Sequence, residues 1–356
     1  MIDSAPALAR RARELEHTKV LALDTEFMRT NTYWPKLALI QIADAQTIEL
    51  IDPVAIESLA ALKPLLDTPH TITVMHSASE DLIALKAISR DPLGGLFDTQ
   101  IGAAFSGMDS GIGYQRLVAE LLGHSIEKGE QRSDWLQRPL SAKQLQYAAM
   151  DVVHLLEIHA LLSEKLTRRG MLAWAEADCA RMAADAAVEQ LPTNPQLEFK
   201  SIWHWPLADQ ARLKRLLDWR EAQARALDRP RNWLFDGPAA LALIERPPRR
   251  LDELPARLGD RRALPARLHP ALLDLLNQPL DADPADLVPV PPPLDDAAEA
   301  RFENLRDRLK LRAAELDIPA ALIAPRRVLE ALARDPANPA IAGWRRELLQ
   351  PLLDAL

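Results

Sequence analysis

The chain has 356 residues, of which 26% are charged and 48% hydrophobic, which is typical of a globular protein with more than one domain. It has a single cysteine, so a disulfide framework and a cysteine-based zinc site are both excluded. We find no signal peptide and no apolar run of the roughly 18–20 residues that a membrane helix needs. We therefore expect a cytoplasmic protein.

The net charge of −8 is unevenly distributed along the chain. Residues 1–207 hold 19 basic and 27 acidic residues, residues 208–280 hold 14 and 10, and residues 281–356 hold 10 and 14. The middle segment is thus basic, at +4, which favours a nucleic-acid partner there. The acidic excess of the first segment serves either solubility or the binding of divalent cations, and charge alone does not decide between these.

The first 170 residues predict an α/β fold. The pattern predicts strands at 20–23, 37–43, 47–51 and 71–75, and helices at about 55–67, at about 79–89 and from Ser141 to about Arg168. Three early strands followed by helices and a further strand indicate a mixed sheet with helices on its faces.

The remainder of the chain predicts helices, interrupted at 191–195 and at 284–293, where prolines cluster. These breaks predict three units, at 1–195, about 208–280 and about 295–356. The two helical units are loosely alike, since Asp228-Arg229-Pro230 in one corresponds to Asp317-Ile318-Pro319 in the other. Both a true repeat and a chance likeness of alanine- and leucine-rich segments remain open.

Three short segments carry candidate catalytic side chains. In the first, Asp24 and Glu26 are two residues apart at the predicted end of a strand, so they point to the same side. Two adjacent carboxylates repel each other unless a cation lies between them. A solvated strand end is the alternative.

The second segment begins at His76, where a strand ends, and includes Asp81, where a helix begins. Asp81 is either a functional carboxylate or a residue that stabilises the start of the helix through the helix dipole. Glu80 is the alternative candidate for the functional carboxylate. His76 is a candidate for substrate contact or a core histidine.

The third segment places Tyr147 and Asp151 at i and i+4 on one helix face. Its alternative is a half-buried tyrosine beside a surface aspartate.

The order of these segments resembles the three motifs of the DEDD superfamily of 3′→5′ exonucleases. Tyr147 corresponds to the tyrosine of the DEDDy branch, and Gln146 stands where the other branch has a histidine. The stretch 29–42, the segment Phe97-Asp98-Thr99-Gln100 and the stretch 128–135 resemble the ribonuclease D family more specifically. Residues 208–280 resemble an HRDC domain, a helical nucleic-acid-binding module.

The resemblance implies a ribonuclease H-like mixed sheet flanked by helices, followed by two small all-α, HRDC-like domains. It implies a DEDDy exonuclease domain at 1–195, an RNA-binding HRDC domain at 208–280 and a second, divergent HRDC-like domain at 295–356. The implied function is a 3′→5′ exoribonuclease that trims the 3′ trailers of structured RNAs such as tRNA precursors and releases 5′-mononucleotides. We expect the first domain to set the chemistry and the helical domains to set the affinity for RNA.

The resemblance also implies the roles of the site residues. Two divalent ions, Mg²⁺ or Mn²⁺, would be held by four carboxylates. Tyr147 would orient the attacking water and help to deprotonate it. The expected ligands are Asp24, Glu26, Asp81 and Asp151. Glu26 would also bind the terminal 3′-hydroxyl, and Phe27 and Met28 would pack against the terminal bases. We expect a monomer that binds RNA with a free 3′ end.

Three other functions compete with this interpretation. A DNA 3′→5′ exonuclease would share the four carboxylates, but the helical units favour the ribonuclease. A non-catalytic RNA-binding protein on the same fold would normally have lost a carboxylate. A helicase needs the G-x-x-x-x-G-K-[ST] phosphate loop, and no such run occurs in the sequence.

Overall fold

The computed structural model describes residues 1–126, 129–130, 133–188, 193–258, 264–280, 287–338 and 341–355. Parts of both predicted breaks, residues 191–192 and 284–286, lie outside the described residues, as do Lys128, Gln131 and Arg132. Contacts divide the chain into two compact units. We call residues 1–28, 37–188 and 294–356 the sheet unit, and residues 29–36 and 189–293 the helical unit.

The sheet unit is built on five strands in the order β3-β2-β1-β4-β5. The strands are β1 (Val20–Met28), β2 (Lys36–Ala43), β3 (Ile48–Ile51), β4 (Ile72–Met75) and β5 (Leu96–Asp98). β1 is parallel to β4 and β4 to β5, whereas β2 and β3 are antiparallel. The predicted mixed sheet is therefore confirmed, and β5 is a strand that the sequence analysis did not predict.

Helices cover the sheet in the same unit. They are α1 (Ala5–Leu15), α2 (Lys63–Asp67), α3 (Ser79–Ala84), α4 (Thr99–Phe105), α5 (Tyr114–Leu122), α6 (Ala142–Val153), α7 (Leu155–Arg168) and α8 (Leu172–Ala187). No helix in the described ranges is both long enough and apolar enough to cross a membrane.

Two helix predictions were wrong in extent. The helix predicted at 55–67 begins only at Ala60, as a 3₁₀ turn that leads into α2. The helix predicted from Ser141 to Arg168 is two helices, because the backbone leaves regular α geometry at His154, with φ −104° and ψ −4°. The His154 N–H donates to the Tyr114 hydroxyl at 3.2 Å, a side-chain partner that sequence periodicity does not reveal.

Alternation along β1 separates two hydrophobic layers. Leu21 and Leu23 pack into the layer that also contains buried residues of α1, α2, α3 and α8. Ala22 faces the opposite layer, with buried residues of α4, α5 and α7. Because strand side chains alternate, the next even-numbered residues of β1 point toward the α7 side and the odd-numbered ones toward the α3 side.

The helical unit contains α9 (Leu207–Leu227), α10 (Arg231–Leu234), α11 (Gly237–Glu245), α12 (Leu254–Leu258) and α13 (His269–Asn277). The long helix α9 ends at Asp228, which has left-handed backbone angles of φ 48° and ψ 53°. Aspartate is one of the few residues other than glycine that adopt this conformation readily.

The last helices are α14 (Asp296–Glu315), α15 (Ala320–Ile323), α16 (Arg326–Arg334) and α17 (Trp344–Leu353). They repeat the element order of α9 to α11: a helix of 20 rather than 21 residues, a left-handed aspartate, a proline, a four-residue helix and a nine-residue helix. The left-handed aspartate is here Asp317, with φ 48°. The two segments thus share a local architecture as well as composition.

Although the sequence predicts residues 295–356 as a separate domain, contacts group 294–356 with the sheet unit. Phe302, Leu305 and other apolar residues of these helices share one hydrophobic core with α4, α5 and α7. Arg345 donates to both carboxylate oxygens of the buried Asp178 on α8, each at 2.6 Å, and the Trp344 indole N–H donates to the same carboxylate. The last helices are therefore held on the sheet unit by an ion pair as well as by apolar contacts.

This ion pair yields a stability prediction. Arg345→Ala leaves Asp178 buried without its bidentate partner, and we expect the free energy of unfolding to fall by about 3 kcal/mol. Urea denaturation checks this, with Arg346→Ala, an exposed residue on the same helix, as the matched control. Equal unfolding free energies for the two variants would contradict the structural role of the pair.

Candidate active site

A cleft of about 550 Å³ opens beside the second half of β1 and the end of β4. It is lined by Asp24, Thr25, Glu26, His76, Ser77, Gln100, Gly113, Tyr114, Gln115, Arg116, Tyr147, Asp151 and Leu155. Most of these lining residues are polar, and three are carboxylates that the sequence analysis selected.

Asp24, Glu26 and Asp151 each offer a carboxylate oxygen, and these three oxygens lie within 4.8 Å of one another. The two acidic residues of β1 lie inside the strand, which continues to Met28, whereas the sequence analysis placed the strand end at Asp24. As even-numbered residues they share the face of Ala22, toward α7 and the preceding helix α6. That face is the one that Asp151 approaches.

Helix α6 carries Tyr147 and Asp151 into the cleft. Its start is fixed by a capping box, in which Ser141 accepts from the Gln144 N–H and the Gln144 side chain accepts from the Ser141 N–H. Asp151 lies one turn after Tyr147 on this helix, and both side chains line the cleft. A Cβ atom added at Gly129 would lie 2.8 Å from the Tyr147 ring, so only glycine permits this close approach of the backbone.

Asp81 lies at the start of α3 and is buried, whereas its rival Glu80 is exposed. The Thr25 hydroxyl donates to its carboxylate at 2.6 Å, as expected from alternation, because Thr25 faces the α3 side of β1. The structure thus brings Asp81 next to β1, but its oxygens are not in the group of three within 4.8 Å. Asp81 acts on that group through its charge, which raises the pKa of Asp24.

The turn that leads to Asp81 is held by Asp98, a fully buried residue at the end of β5. Its carboxylate accepts from the N–H groups of Ser77 at 3.2 Å and Ala78 at 2.8 Å. Ser77 needs this support because its φ is +57°. The Asp98 N–H donates in turn to the buried thiol of Cys179, whose pKa burial raises to about 12. This cysteine therefore stays protonated and serves the turn.

Burial and mutual repulsion raise the pKa of every carboxylate in this group. Burial, with the charges of Asp151 and Asp81, raises the pKa of Glu26 to about 9. Burial raises the pKa of Asp151 to about 7 and that of Asp81 to about 6. Burial and then the charge of Asp81 raise the pKa of Asp24 well above its usual range. The protein thus holds together carboxyl groups that ionise readily only when a cation lies among them.

The other predicted substrate contacts have different positions. His76 lines the cleft, and its Nδ1 lies 2.9 Å from the Thr99 hydroxyl. Burial lowers the pKa of His76, so its ring is neutral at pH 7. Phe27 and Met28 are not among the described residues that line the cleft, and Met28 packs beside the buried Trp135 cluster. Their contact with bases remains a prediction.

Several residues of the cleft lining were not selected by the sequence analysis, among them Gln100, Tyr114 and Arg116. The Tyr114 hydroxyl donates to the Met150 carbonyl at 3.2 Å, beside Asp151. Gln100 and Arg116 line the same cleft, and Arg116 is exposed. Gln100 ends the Phe97-Asp98-Thr99-Gln100 segment, so the resemblance contained a signal for it. Neither Tyr114 nor Arg116 belongs to a pattern that the sequence displays.

The donor set fits a hard divalent cation. Carboxylate oxygens are the ligands that Mg²⁺ and Mn²⁺ prefer, and neither nitrogen nor sulfur belongs to the group of three. The raised pKa values report the same need, since a cation among Asp24, Glu26 and Asp151 would offset their repulsion. The arrangement is that of a metal-dependent hydrolytic site.

Comparisons with known proteins agree with this geometry. A family model described as 3′-5′ exonuclease matches residues 1–167. The chain is 42% identical over 340 residues to ribonuclease D of Xanthomonas oryzae pv. oryzae, covering 94% of this chain and 93% of that protein. It is 33% identical to ribonuclease D of Escherichia coli strain K12, covering 100% and 97%.

A solved structure extends the likeness to the fold. The crystal structure of Escherichia coli RNase D, described as an exoribonuclease involved in structured RNA processing, superposes with a TM-score of 0.87 at 31% identity. The match covers 100% of this chain and 97% of that one. The likeness thus includes the helical part of the chain as well as the exonuclease fold.

The raised pKa values predict how the metal-free protein responds to pH. A carboxylate whose pKa is raised by folding stabilises the protein below its unfolded pKa and ceases to do so as pH rises through its folded pKa. For Glu26 this window runs from its ordinary value of 4.5 to about 9. We expect the unfolding free energy in EDTA to fall by about 1 kcal/mol per pH unit from pH 5 to 8, relative to Glu26→Gln.

Chemical denaturation at several pH values, in EDTA and in Mg²⁺, tests this expectation. Mg²⁺ should restore the stability of the natural protein at pH 8 and have a smaller effect on Glu26→Gln, which lacks one carboxylate. Parallel pH profiles of the two proteins in EDTA would contradict the argument.

Proposed function

The chain belongs to the ribonuclease D family and is a metal-dependent 3′→5′ exoribonuclease, and we propose that it trims trailer nucleotides from structured RNAs such as tRNA precursors. The observation that supports this most is the group of Asp24, Glu26 and Asp151 oxygens within 4.8 Å, beside Tyr147 in an open cleft. The Escherichia coli relative, described as acting in structured RNA processing, supports the substrate class.

We propose that Asp24, Glu26, Asp81 and Asp151 hold two divalent ions, either Mg²⁺ or Mn²⁺. Two such ions supply neutralisation of charge on the phosphate and make water a better nucleophile. The Thr25 hydroxyl donates to the carboxylate of Asp81 and orients it beside the other three carboxylates. The product of each turnover is a 5′-mononucleotide.

Tyr147 orients the attacking water in this proposal. Burial, followed by the charges of Asp151 and Glu26, raises the pKa of Tyr147 far above its usual range. The phenol therefore remains protonated at neutral pH, so it acts through hydrogen bonds and not as a general base. Asp151, one turn further along α6, lines the same cleft beside it.

At the 3′ end of the substrate we assign three further contacts. Glu26 accepts a hydrogen bond from the terminal 3′-hydroxyl, while Phe27 and Met28 pack against the last bases. His76 is neutral and lines the cleft, so it offers a polar contact without adding charge. Selection for a free 3′ end follows from the hydroxyl contact.

The helical segments hold the body of the RNA in our proposal. We assign 208–280 as an HRDC domain and 295–356 as a second, divergent one. The first has a net charge of +4, which suits sequence-independent phosphate contacts, and the second has −4, so it contributes less. We propose a cytoplasmic monomer.

The direct test is hydrolysis of a 3′-extended tRNA precursor and of a DNA of matched sequence, each with Mg²⁺, with Mn²⁺ and with EDTA. We expect the RNA to be shortened one nucleotide at a time, and only with a divalent ion. Faster degradation of the DNA than of the RNA would overturn the proposed substrate.

The carboxylates should act as one unit. Asp24→Asn, Glu26→Gln, Asp81→Asn and Asp151→Asn should each lower kcat by about 10³-fold or more, and double variants should be little worse than single ones. Asp134→Asn, outside the cleft lining, is the control. Rapid turnover by a folded Asp151→Asn variant would contradict the assignment of Asp151 to the catalytic site.

Tyr147→Phe should lower kcat about 10²-fold and leave the affinity for RNA unchanged, because the hydroxyl acts on water. Single-turnover rates and binding in Ca²⁺ separate the two effects. The control is Tyr114→Phe, which removes another cleft hydroxyl that bonds the Met150 carbonyl. Equal losses of rate and affinity would make Tyr147 a binding residue instead.

A further inference from the structure

The segment that joins β1 to β2 belongs to the helical unit, whereas β1 and all of β2 after its first residue, Lys36, belong to the sheet unit. We call residues 29–36 the connector. It begins directly after Met28, the last residue of β1, and only two residues separate it from Glu26. Whatever fixes the connector therefore also restrains the end of the strand that carries two of the site carboxylates.

Asp228 binds the backbone of the connector. One of its carboxylate oxygens, Oδ1, accepts from the N–H of Tyr33 at 2.9 Å and from the N–H of Trp34 at 3.0 Å. Its left-handed backbone, at the end of α9, directs the chain so that the next residue also contacts the connector: Arg229 donates to the Asn31 carbonyl at 3.0 Å. Without Asp228, two backbone donors of the connector would lose this partner.

The side chain of Tyr33 is anchored as firmly as its backbone. It is 7% exposed and belongs to the hydrophobic core of the helical unit. Its hydroxyl donates to Glu221, and Arg225 donates to both that hydroxyl and Glu221 at 3.1 Å. The Arg225 guanidinium also lies 5.3 Å from the centre of the Tyr33 ring and 5.6 Å from that of Trp34.

The protonation states agree with this network. Burial, and then the hydrogen bond to Glu221, raise the pKa of Tyr33, so the phenol remains a donor. Burial alone would raise the pKa of Glu221, but the bonds from Tyr33 and the nearby arginines outweigh it and lower that pKa. The network therefore persists across neutral pH.

We propose that Asp228 is a positioning residue for the exonuclease reaction, which it serves by fixing the connector that follows Glu26. The helical unit then controls the rate of hydrolysis in addition to the affinity for RNA, which goes beyond the division of labour expected from the sequence. This inference rests on the proposed role of Glu26. Its physical basis is that catalytic groups tolerate only very small displacements, since a shift of about 1 Å costs up to about 10²-fold in rate.

The test uses the full chain and a short single-stranded RNA. We expect Asp228→Ala to lower kcat by about 10- to 100-fold while KM changes less than about twofold. Asp228→Asn should retain most of the rate, because its amide keeps the Oδ1 acceptor. Amide hydrogen exchange should become faster in the peptide that covers residues 29–36 of Asp228→Ala, and not in that of Asp228→Asn.

Asp317→Ala is the matched control, because Asp317 has the same left-handed φ of 48° after the corresponding helix but does not bind the connector. It should keep a normal kcat. Tyr33→Phe is a second variant, which removes only the hydroxyl that donates to Glu221. It should also lower kcat, but by less than Asp228→Ala does.

Three results would overturn the proposal: a normal kcat for Asp228→Ala, an equal loss for Asp317→Ala, or a change confined to KM. Asp151→Asn is assayed beside these variants. If it hydrolyses RNA normally, the assignment of the catalytic site fails, whatever Asp228→Ala does.

Discussion

Repulsion between buried carboxylates is the constraint on which the rest of this structure depends. The oxygens of Asp24, Glu26 and Asp151 lie within 4.8 Å of one another, and their pKa values are raised. A flexible chain would relieve this repulsion by moving the groups apart. The fold prevents it with rigid elements, because two of the groups are on one strand of the sheet and the third is on a helix whose start is fixed by a capping box.

Local periodicity predicts which of the site residues share a face, whereas their selection as a site came from the resemblance to the DEDD exonuclease motifs. The spacing of two in Asp24 and Glu26 and of four in Tyr147 and Asp151 predicted which residues share a face, and the structure brings these four residues to one cleft. Asp81 was also predicted as a site residue. It lies beside β1, where its carboxylate accepts a hydrogen bond from the Thr25 hydroxyl.

What the sequence analysis missed depends on partners that are distant in the chain. The break at His154 involves the Tyr114 hydroxyl, 40 residues earlier, and the turn at Ser77 involves Asp98, 21 residues later. The grouping of residues 29–36 with the helical unit involves contacts across nearly 200 residues. Propensity and periodicity describe neighbours in sequence, so such tertiary contacts lie beyond them.

The two helical segments use one structural device for different purposes. Each follows its long helix with a left-handed aspartate and a proline-capped short helix. Asp228 binds backbone N–H groups of the connector, whereas Asp317 accepts a hydrogen bond from Arg169, the residue that caps α7. Asp228 thus binds the segment that follows a strand of the candidate site, whereas Asp317 binds Arg169, which does not line the cleft. Both turns have a structural task apart from any contact with RNA.

The position of Asp228 in the chain has a consequence for how the enzyme is made. The connector residue Tyr33 and its partner Asp228 are 195 residues apart. At a ribosomal rate of roughly 5–20 residues per second, the partner is synthesised about 10–40 s after the connector. During that interval the nascent chain already has Asp24 and Glu26 but lacks the anchor that follows them. On the proposed role of Asp228, a nascent chain therefore reaches its full rate of hydrolysis only after the helical unit has been synthesised.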